Sequence, residues 1–417
     1  MSQNIYLEQV IQTSKKIIKP SVSKVIVIGG GIGGLTLARA CLDANIEVEV
    51  YEKRPLNTML SGPGGIFIQR NAIRIYQLLD SGKIYQRFYS QGGKILKGGF
   101  SSKDGAPLYI NSPEFAGEKD LGICLSRGEL QQILYEALPP NTVRNGMTFE
   151  KFAATEDGVQ VYFQDGSTTT GDILVGADGL YSRVRASMSG QKRLEEPIYS
   201  GTCCWRGVFN GSNLPLNQEY SWMEYWGQGN RFGYFDIGKG LFSFYAFSNT
   251  EKGGNDDSVG GSLNALKLTF SDYAEPVPSI LKVLEDQIIY RDDIFDRQPL
   301  GNCWGKERVT LIGDAAHPVQ PNLGQGGCMA VEDAFELVKL LTRGASSDHV
   351  SLLRQFEYSR SQRVTRVFTT SRQVGQLGQT NSAIGCLLRN WIYKLTPTWL
   401  ADLQFKWLFD YQPSWED

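Results

Sequence analysis

KVIVIGGGIGGLTLARACLDANIEVEVYEK, residues 24–53, decides the fold. Val25 to Ile28 is an uninterrupted apolar run, the pattern of a strand buried on both faces. Gly29, Gly31 and Gly34 follow in G-x-G-x-x-G spacing, and the chain then turns helical before a second, alternating strand ends at Glu52. Without side chains, Gly29 and Gly31 let the backbone bend and approach a pyrophosphate, while Gly34 lets the helix sit close on the sheet. A phosphate then rests on the helix N-terminus. Glu52 falls where a carboxylate bonds the ribose hydroxyls of an adenosine. A glycine turn of this kind also occurs merely to pack a helix on a strand; strand, helix and terminal acid in order favour a dinucleotide. NAD and FAD share this ADP grip, so the motif leaves the choice between them open.

Two later stretches repeat the strand-to-helix plan. In GDILVGADGLYSRVRASM (171–188) the apolar run Ile173 to Val175 leads into Gly176, Asp178 and Gly179; composition alone leaves Asp178 equally a helix cap and a ligand. In RVTLIGDAAHPVQPNLGQGGCMAVEDAFELVKLL (308–341) the strand is Val309 to Ile312, and an amphipathic helix starts near Gly326. Asp314 sits at the carboxyl end of that strand, the edge where open α/β sheets bind ligands. The bare GQGG entry leaves N–H groups of a helix N-terminus open to an anion or a polarised carbonyl, and Pro318 and Pro321 stiffen the loop before it. A reduced flavin carries negative charge at N1 and the C2 carbonyl, which such an end stabilises. NAD has no obvious use for this second cluster; FAD, spanning both, has one.

Composition narrows the partners. The 417 residues are 41% hydrophobic, enough for two linked domains with substantial cores. With Lys+Arg 42 against Asp+Glu 44 and a net charge of -2, nothing electrostatic calls for nucleic acid, and a small molecule is the expected partner. Seven cysteines, without a CxxC pair or metal-ligand spacing and with Cys203 and Cys204 adjacent, predict neither a disulfide framework nor a metal site. A reducing, cytoplasmic setting is expected. No segment reaches the roughly 20 apolar residues of a membrane span.

With its three motifs, the sequence resembles the FAD-dependent aromatic-hydroxylase (group A flavoprotein monooxygenase) family from about residue 23 to 365. Within it the likeness is to the zeaxanthin epoxidase and urate hydroxylase branch, through GPGGIFIQRNAIRIYQLLD (62–80), CLSRGELQQIL (124–134), RDDIFDRQP (291–299) and GQGGCMAVEDA (324–334). The resemblance implies an α/β fold: a Rossmann-like FAD-binding domain, an inserted and mostly antiparallel β-sheet substrate domain, and a C-terminal helical segment. It implies that Gly29, Gly31, Gly34, Glu52 and Lys53 hold the ADP half and that Arg127 and Gln131 reach the cofactor from a helix. Asp178 and Gly179 match a motif implicated in FAD and NAD(P)H contact. Asp314 would accept a ribityl hydroxyl, and Gly324, Gln325, Gly326 and Gly327 would face the flavin pyrimidine edge. Pro321 falls where a carbonyl lies near the reacting carbon of the substrate. The implied chemistry is transient use of NADPH or NADH to reduce FAD, addition of O₂ at C4a, and delivery of one oxygen to an apolar or aromatic substrate. The protein supplies positioning, water exclusion and electrostatics.

The segments divide as a leading helix (1–22), an FAD-binding domain (23–195), a β-sheet substrate domain (196–290), the return of the FAD-binding domain (291–365) and a C-terminal helical cap (366–417). Between the second and third motifs Trp205, Tyr225, Trp226, Phe235 and Phe244 are each ordinary sheet packing and together a candidate apolar pocket. If a phenol is activated, the candidate groups are Arg206, Tyr225 and Tyr234; an epoxidase needs no such base. His317 reads as structural and His349 as a surface residue. Trp391, Trp399, Trp407 and Trp415 recur every eight residues, with Lys394 and Lys406 between them and Arg389 just before the first, as on two amphipathic helices meeting at Pro397. They read as a cap on the molecule, with a membrane-surface patch as the alternative. Halogenation is disfavoured by the lack of a W-x-W-x-I-P stretch. A flavin reductase without oxygen insertion, or a flavin-binding protein without turnover, is the competing class.

Overall fold

The computed structural model describes residues 22–111, 119–217, 219–343 and 348–416. The leading helix expected over 1–22 lies outside them except for Val22. The strand Lys24–Ile28 is the centre of a five-stranded sheet ordered 309–311, 173–176, 24–28, 47–52, 143–145, with every neighbouring pair parallel. The apolar runs of all three motifs therefore stand side by side, buried on both faces as a parallel sheet requires.

Two glycines of the first motif are obligatory. Gly29 has φ 114°, and a Cβ there would stand 2.3 Å from the Ala177 carbonyl oxygen. A Cβ on Gly34 would stand 1.9 Å from the Gly29 oxygen, so the helix Ile32–Asp43 can lie this close to its strand only without one. The same helix packs on the helix Gly326–Arg343, where Gly33 comes within close reach of Ala330.

The second domain is a seven-stranded sheet ordered 290–296, 198–210, 241–249, 230–238, 222–226, 98–102, 107–111. It is antiparallel except where 222–226 meets 98–102. The substrate sheet thus draws strands from both sides of the expected 196–290 segment, because pairing partners are set by register rather than by sequence proximity. The helices Ser262–Phe270 and Val277–Val283 cover one of its faces and bury a core of Tyr225, Phe232, Leu266 and Ile280 among others.

The expected boundary at 366 falls inside one continuous helix, His349–Gly378. His349 is buried at its start, with Nδ1 2.7 Å from an Arg308 guanidinium nitrogen, and is not the surface residue expected. The helices Ala383–Leu395 and Thr398–Phe409 follow, and the break falls at Pro397 as the sequence predicts. Among the described residues no helix is long and apolar enough to cross a membrane.

Candidate active site

Because the three motif strands are parallel neighbours, their carboxyl ends bring Gly29, Ala177 to Gly179, and Gly313 with Asp314 to one edge. A cavity of about 800 Å³ opens along that edge and runs under the open face of the seven-stranded sheet. Gly29, Gly31, Glu52, Lys53, Arg127, Asp178, Gly179, Asp314, Pro321, Gly324, Gly326, Gly327 and Arg206 all line it. Gln131, Gln325 and Tyr225 do not.

A Cβ placed on Gly31 would meet nothing within 4 Å, so the space over the helix N-terminus is open to a ligand. Glu52 is buried and already bonded: it accepts from the Gly30 N–H at 2.8 Å and from the Arg54 N–H and Nε, each at 2.9 Å. Burial works against its charge, but the bonds from Arg54 and Gly30 prevail and hold the carboxyl below its usual range.

Asp178 holds the start of a helix whose N-cap residue is Ser182. Its Oδ1 accepts from Ser182 Oγ at 2.5 Å, and its Oδ2 accepts from the N–H groups of Arg183 (2.7 Å) and Val184 (3.2 Å), at the start of the helix Arg183–Met188. Of the two readings the sequence left open, its oxygens serve the cap, while the residue still borders the cavity.

Besides the exposed Lys53, two charged groups that line the cavity have no partner among the described residues. Arg127 opens the helix Arg127–Glu136 with its stem against Gly62, and its guanidinium has no hydrogen bond or ion pair among the described residues. Burial, then the neighbouring Arg206 charge, lowers its pKa. Asp314 is ringed by protein yet open to the cavity, with no hydrogen bond to its carboxylate among the described residues; burial pushes its carboxyl up, countered by His317 and Arg127. Both groups are walled by protein but open to the cavity, so a ligand that enters it meets an unpaired cation and an unpaired carboxylate. A phosphate for the first and a hydroxyl donor for the second meet those needs, so this half of the cavity suits an FAD molecule. Gln131, on the same helix as Arg127, is buried on its inner side and does not reach the cavity.

The third motif is held from behind. Asp333, on the helix that the motif opens, accepts from the Gly313 N–H at 2.9 Å and from Arg360 Nε at 2.8 Å, and lies 2.6 Å from His317 Nε2. Burial opposes its charge, but His317 and Arg360 outweigh it and bring the carboxyl down to about 2. His317 is thus buried in the structural place expected of it. After the turn Pro321–Leu323, Gly324 takes a left-handed conformation (φ 64°), and Gly326 and Gly327 present the first N–H groups of an 18-residue helix to the cavity. Gln325 points the other way. It is buried, donates to Gln69 Oε1 at 2.5 Å and accepts from Asn71 Nδ2 at 3.0 Å.

The sheet alternation decides the substrate side. Along Trp222–Trp226, Trp222 and Glu224 face the cavity, while Met223 and Tyr225 turn into the core under the covering helices. Tyr225 and Tyr234 are therefore packing residues, a correction to their place among the expected catalytic groups. Of the five aromatics singled out in the sequence, Phe235 and Phe244 line the cavity and Trp205, Tyr225 and Trp226 do not. Arg206 lines it and pairs with Asp292 at 2.6 Å.

Residues not anticipated complete this half: Phe100, Tyr109 and Asn111 from the early strands, and Glu224 with Arg231. Glu224 Oε1 accepts from Arg231 at 3.1 Å and from Trp226 Nε1 at 2.6 Å, and its Oε2 accepts from Tyr245 OH at 2.6 Å. Arg231 also donates to Asn322, next to Pro321, and so ties the sheet to the third-motif loop. Asn111 Oδ1, Trp222 Nε1, Arg231 Nε and Arg206 Nε are buried without hydrogen-bond partners among the described residues, and all four residues line the cavity. They are polar handles in an otherwise aromatic wall. The alternation was a legible signal for Glu224 over Tyr225; nothing local marks residues 98–111 as part of this sheet.

Residues 22–371 match the family described as FAD binding domain. The chain is 35% identical over 373 residues to the aurachin C monooxygenase/isomerase of Stigmatella aurantiaca, covering 89% of this chain and 94% of that protein. It is 33% identical over 381 residues to the chloroplastic zeaxanthin epoxidase of Prunus armeniaca, covering 88% of this chain but only 57% of that longer protein. Among solved structures, Klebsiella pneumoniae HpxO complexed with FAD and uric acid superposes with a TM-score of 0.81 at 25% identity, over 93% of this chain and 96% of that one.

Proposed function

Since the chain belongs to the FAD binding domain family and is an FAD-dependent monooxygenase, we propose that it uses NADPH or NADH and O₂ to epoxidise or hydroxylate an apolar or aromatic small molecule held under the seven-stranded sheet. One observation carries this reading: unpaired Arg127 and Asp314 and the bare N-terminus at Gly326 face the same cavity as an aromatic wall with polar handles. FAD supplies the redox and oxygen-transfer chemistry. Within this reading the turn at Gly29 and Gly31, with Glu52 and Lys53 beside it, holds the ADP half, and Arg127 neutralises phosphate charge. Asp314 accepts a ribityl hydroxyl, and the N–H groups at Gly326 and Gly327 stabilise negative charge at the pyrimidine end. The Pro321 segment, tied to the sheet by Asn322 and Arg231, sets where the substrate lies against the flavin. Arg206, paired with Asp292 but with its Nε free among the described residues, is a cation that can meet a substrate oxygen. The aromatic wall and the terminal helices exclude water.

The test is oxidation of NADPH and NADH by the purified yellow protein with ¹⁸O₂, against carotenoids, terpenoids, phenolic acids and purines. One labelled oxygen in an organic product supports the proposal. Oxidation of the nicotinamide with peroxide as the sole oxygen product, whatever the substrate, rejects it. Apolar substrates partition into lipid, so peripheral membrane contact through the terminal helices belongs to the same reading.

A further inference from the structure

In a globular protein an amphipathic helix turns its apolar stripe toward the core. The helix Ala383–Leu395 does the reverse. Ile384, Leu387, Leu388, Trp391, Ile392 and Leu395 recur at helical spacing and are all exposed, Leu387 at 71% and Trp391 at 63%. Arg389 and Tyr393, on the opposite face, turn inward; Arg389 is buried and donates to the carbonyl oxygens of Gly378 and Gly227 at 3.2 Å each. The helix Thr398–Phe409 continues the pattern, with Trp399 exposed at 66% and Leu400 and Leu403 beside it.

We infer that this outward stripe docks the protein on a lipid bilayer and that the cavity beneath it takes its apolar substrate from that bilayer. The same two helices line the cavity from inside with Tyr393, Phe405, Leu408 and Phe409. The apolar surface and the site are thus two faces of one layer of helix. An apolar molecule that leaves lipid beside this layer has little water to cross. The charges flanking the stripe choose lipid over a second copy of the chain. Lys394 lies beside it on the first helix, and Lys406 stands one turn beyond Leu403 on the second. The first helix holds no acidic residue, and the one acid of the second, Asp402, turns inward to the Tyr109 hydroxyl. A two-fold pairing of stripes would set lysine against lysine, whereas anionic headgroups complement both and tryptophans settle at the interface. Docking stands on the exposed stripe and the lysines that flank it; delivery to the cavity rests on the proposed monooxygenase reading.

The experiment is flotation of the FAD-loaded full chain with vesicles of phosphatidylcholine and phosphatidylglycerol, comparing wild type with the triple variant Leu387→Gln, Trp391→Gln, Trp399→Gln. None of the three lines the cavity, so flavin content and NAD(P)H oxidation on detergent-dispersed substrate should be unchanged in the variant. Wild type is expected to float, and the variant to lose vesicle partitioning by roughly 10-fold or more. Wild type remaining in the vesicle-free fraction, or a variant that floats equally well, overturns the inference. So does a concentration-dependent dimer abolished by the substitutions without flotation, which gives the stripe to a second copy. Flotation by a protein that transfers no oxygen to any substrate upholds docking and removes only the oxidation reading.

Discussion

Substituting alanine at two glycines of the same motif should separate binding from folding. At Gly31 the backbone is already acceptable to any residue (φ -79°, ψ -174°), and an added Cβ meets nothing within 4 Å. Alanine is a poorer N-cap than glycine but restricts the unfolded chain, and these effects oppose each other, leaving folding changed by no more than about 1 kcal/mol. The methyl group nevertheless occupies the space through which the pyrophosphate reaches the helix N-terminus. Losing one charge-assisted hydrogen bond there costs about 1.5–3 kcal/mol, or about 10- to 150-fold in FAD affinity. At Gly34 the added Cβ would lie 1.9 Å from the Gly29 carbonyl oxygen, a backbone atom that cannot rotate away. Helix and strand must then separate, at a cost of about 3 kcal/mol or more. Urea unfolding of the FAD-free protein, combined with FAD titration by fluorescence quenching, measures both quantities. Wild-type FAD affinity in Gly31→Ala would falsify the placement of the pyrophosphate. A wild-type urea midpoint in Gly34→Ala would refute the close-packing argument.

Asp314 and Asp333 should respond oppositely to pH. Burial raises the Asp314 carboxyl, so stability present below its unfolded pKa is lost as pH rises through the raised folded value; Asp314→Asn should stabilise the FAD-free protein at neutral pH while weakening FAD retention, and full flavin occupancy in this variant would remove its assigned role. Asp333 falls from its ordinary 3.8 to about 2, so it contributes about 2 kcal/mol above the unfolded value, and that is lost as pH falls toward the folded one; chemical denaturation of Asp333→Asn should show a flatter acid limb than wild type. Steady-state kinetics should distinguish the two sheet faces: Glu224→Gln and Arg206→Gln should change turnover or KM with flavin content retained, and Tyr225→Phe, turned into the core, should leave both near wild type. A large kinetic defect in Tyr225→Phe would mean that the sheet faces are misassigned.

What the sequence determined by itself is local. Apolar runs, glycines required by backbone geometry, Pro397 and the eight-residue tryptophan spacing act through neighbours a few positions away, and the elements they announce are where they were expected, except that the last helix ends at Phe409 and leaves Trp415 beyond it. Tertiary structure decided everything that depends on which face of an element looks where. Parallel pairing of strands far apart in the chain brings Gly29, Asp178 and Asp314 to one edge. The register of the second sheet recruits Phe100 and Tyr109, and the helices packed on its other face turn Tyr225 away and Glu224 inward. Gln131 and Gln325 have neighbours that line the cavity, yet their own side chains are buried away from it. The tryptophan spacing marks an amphipathic pair without revealing its orientation: Trp407 and Trp415 pack on the body while Trp391 and Trp399 point outward. Periodicity fixes an apolar stripe, but only the competition among long-range contacts fixes what that stripe meets.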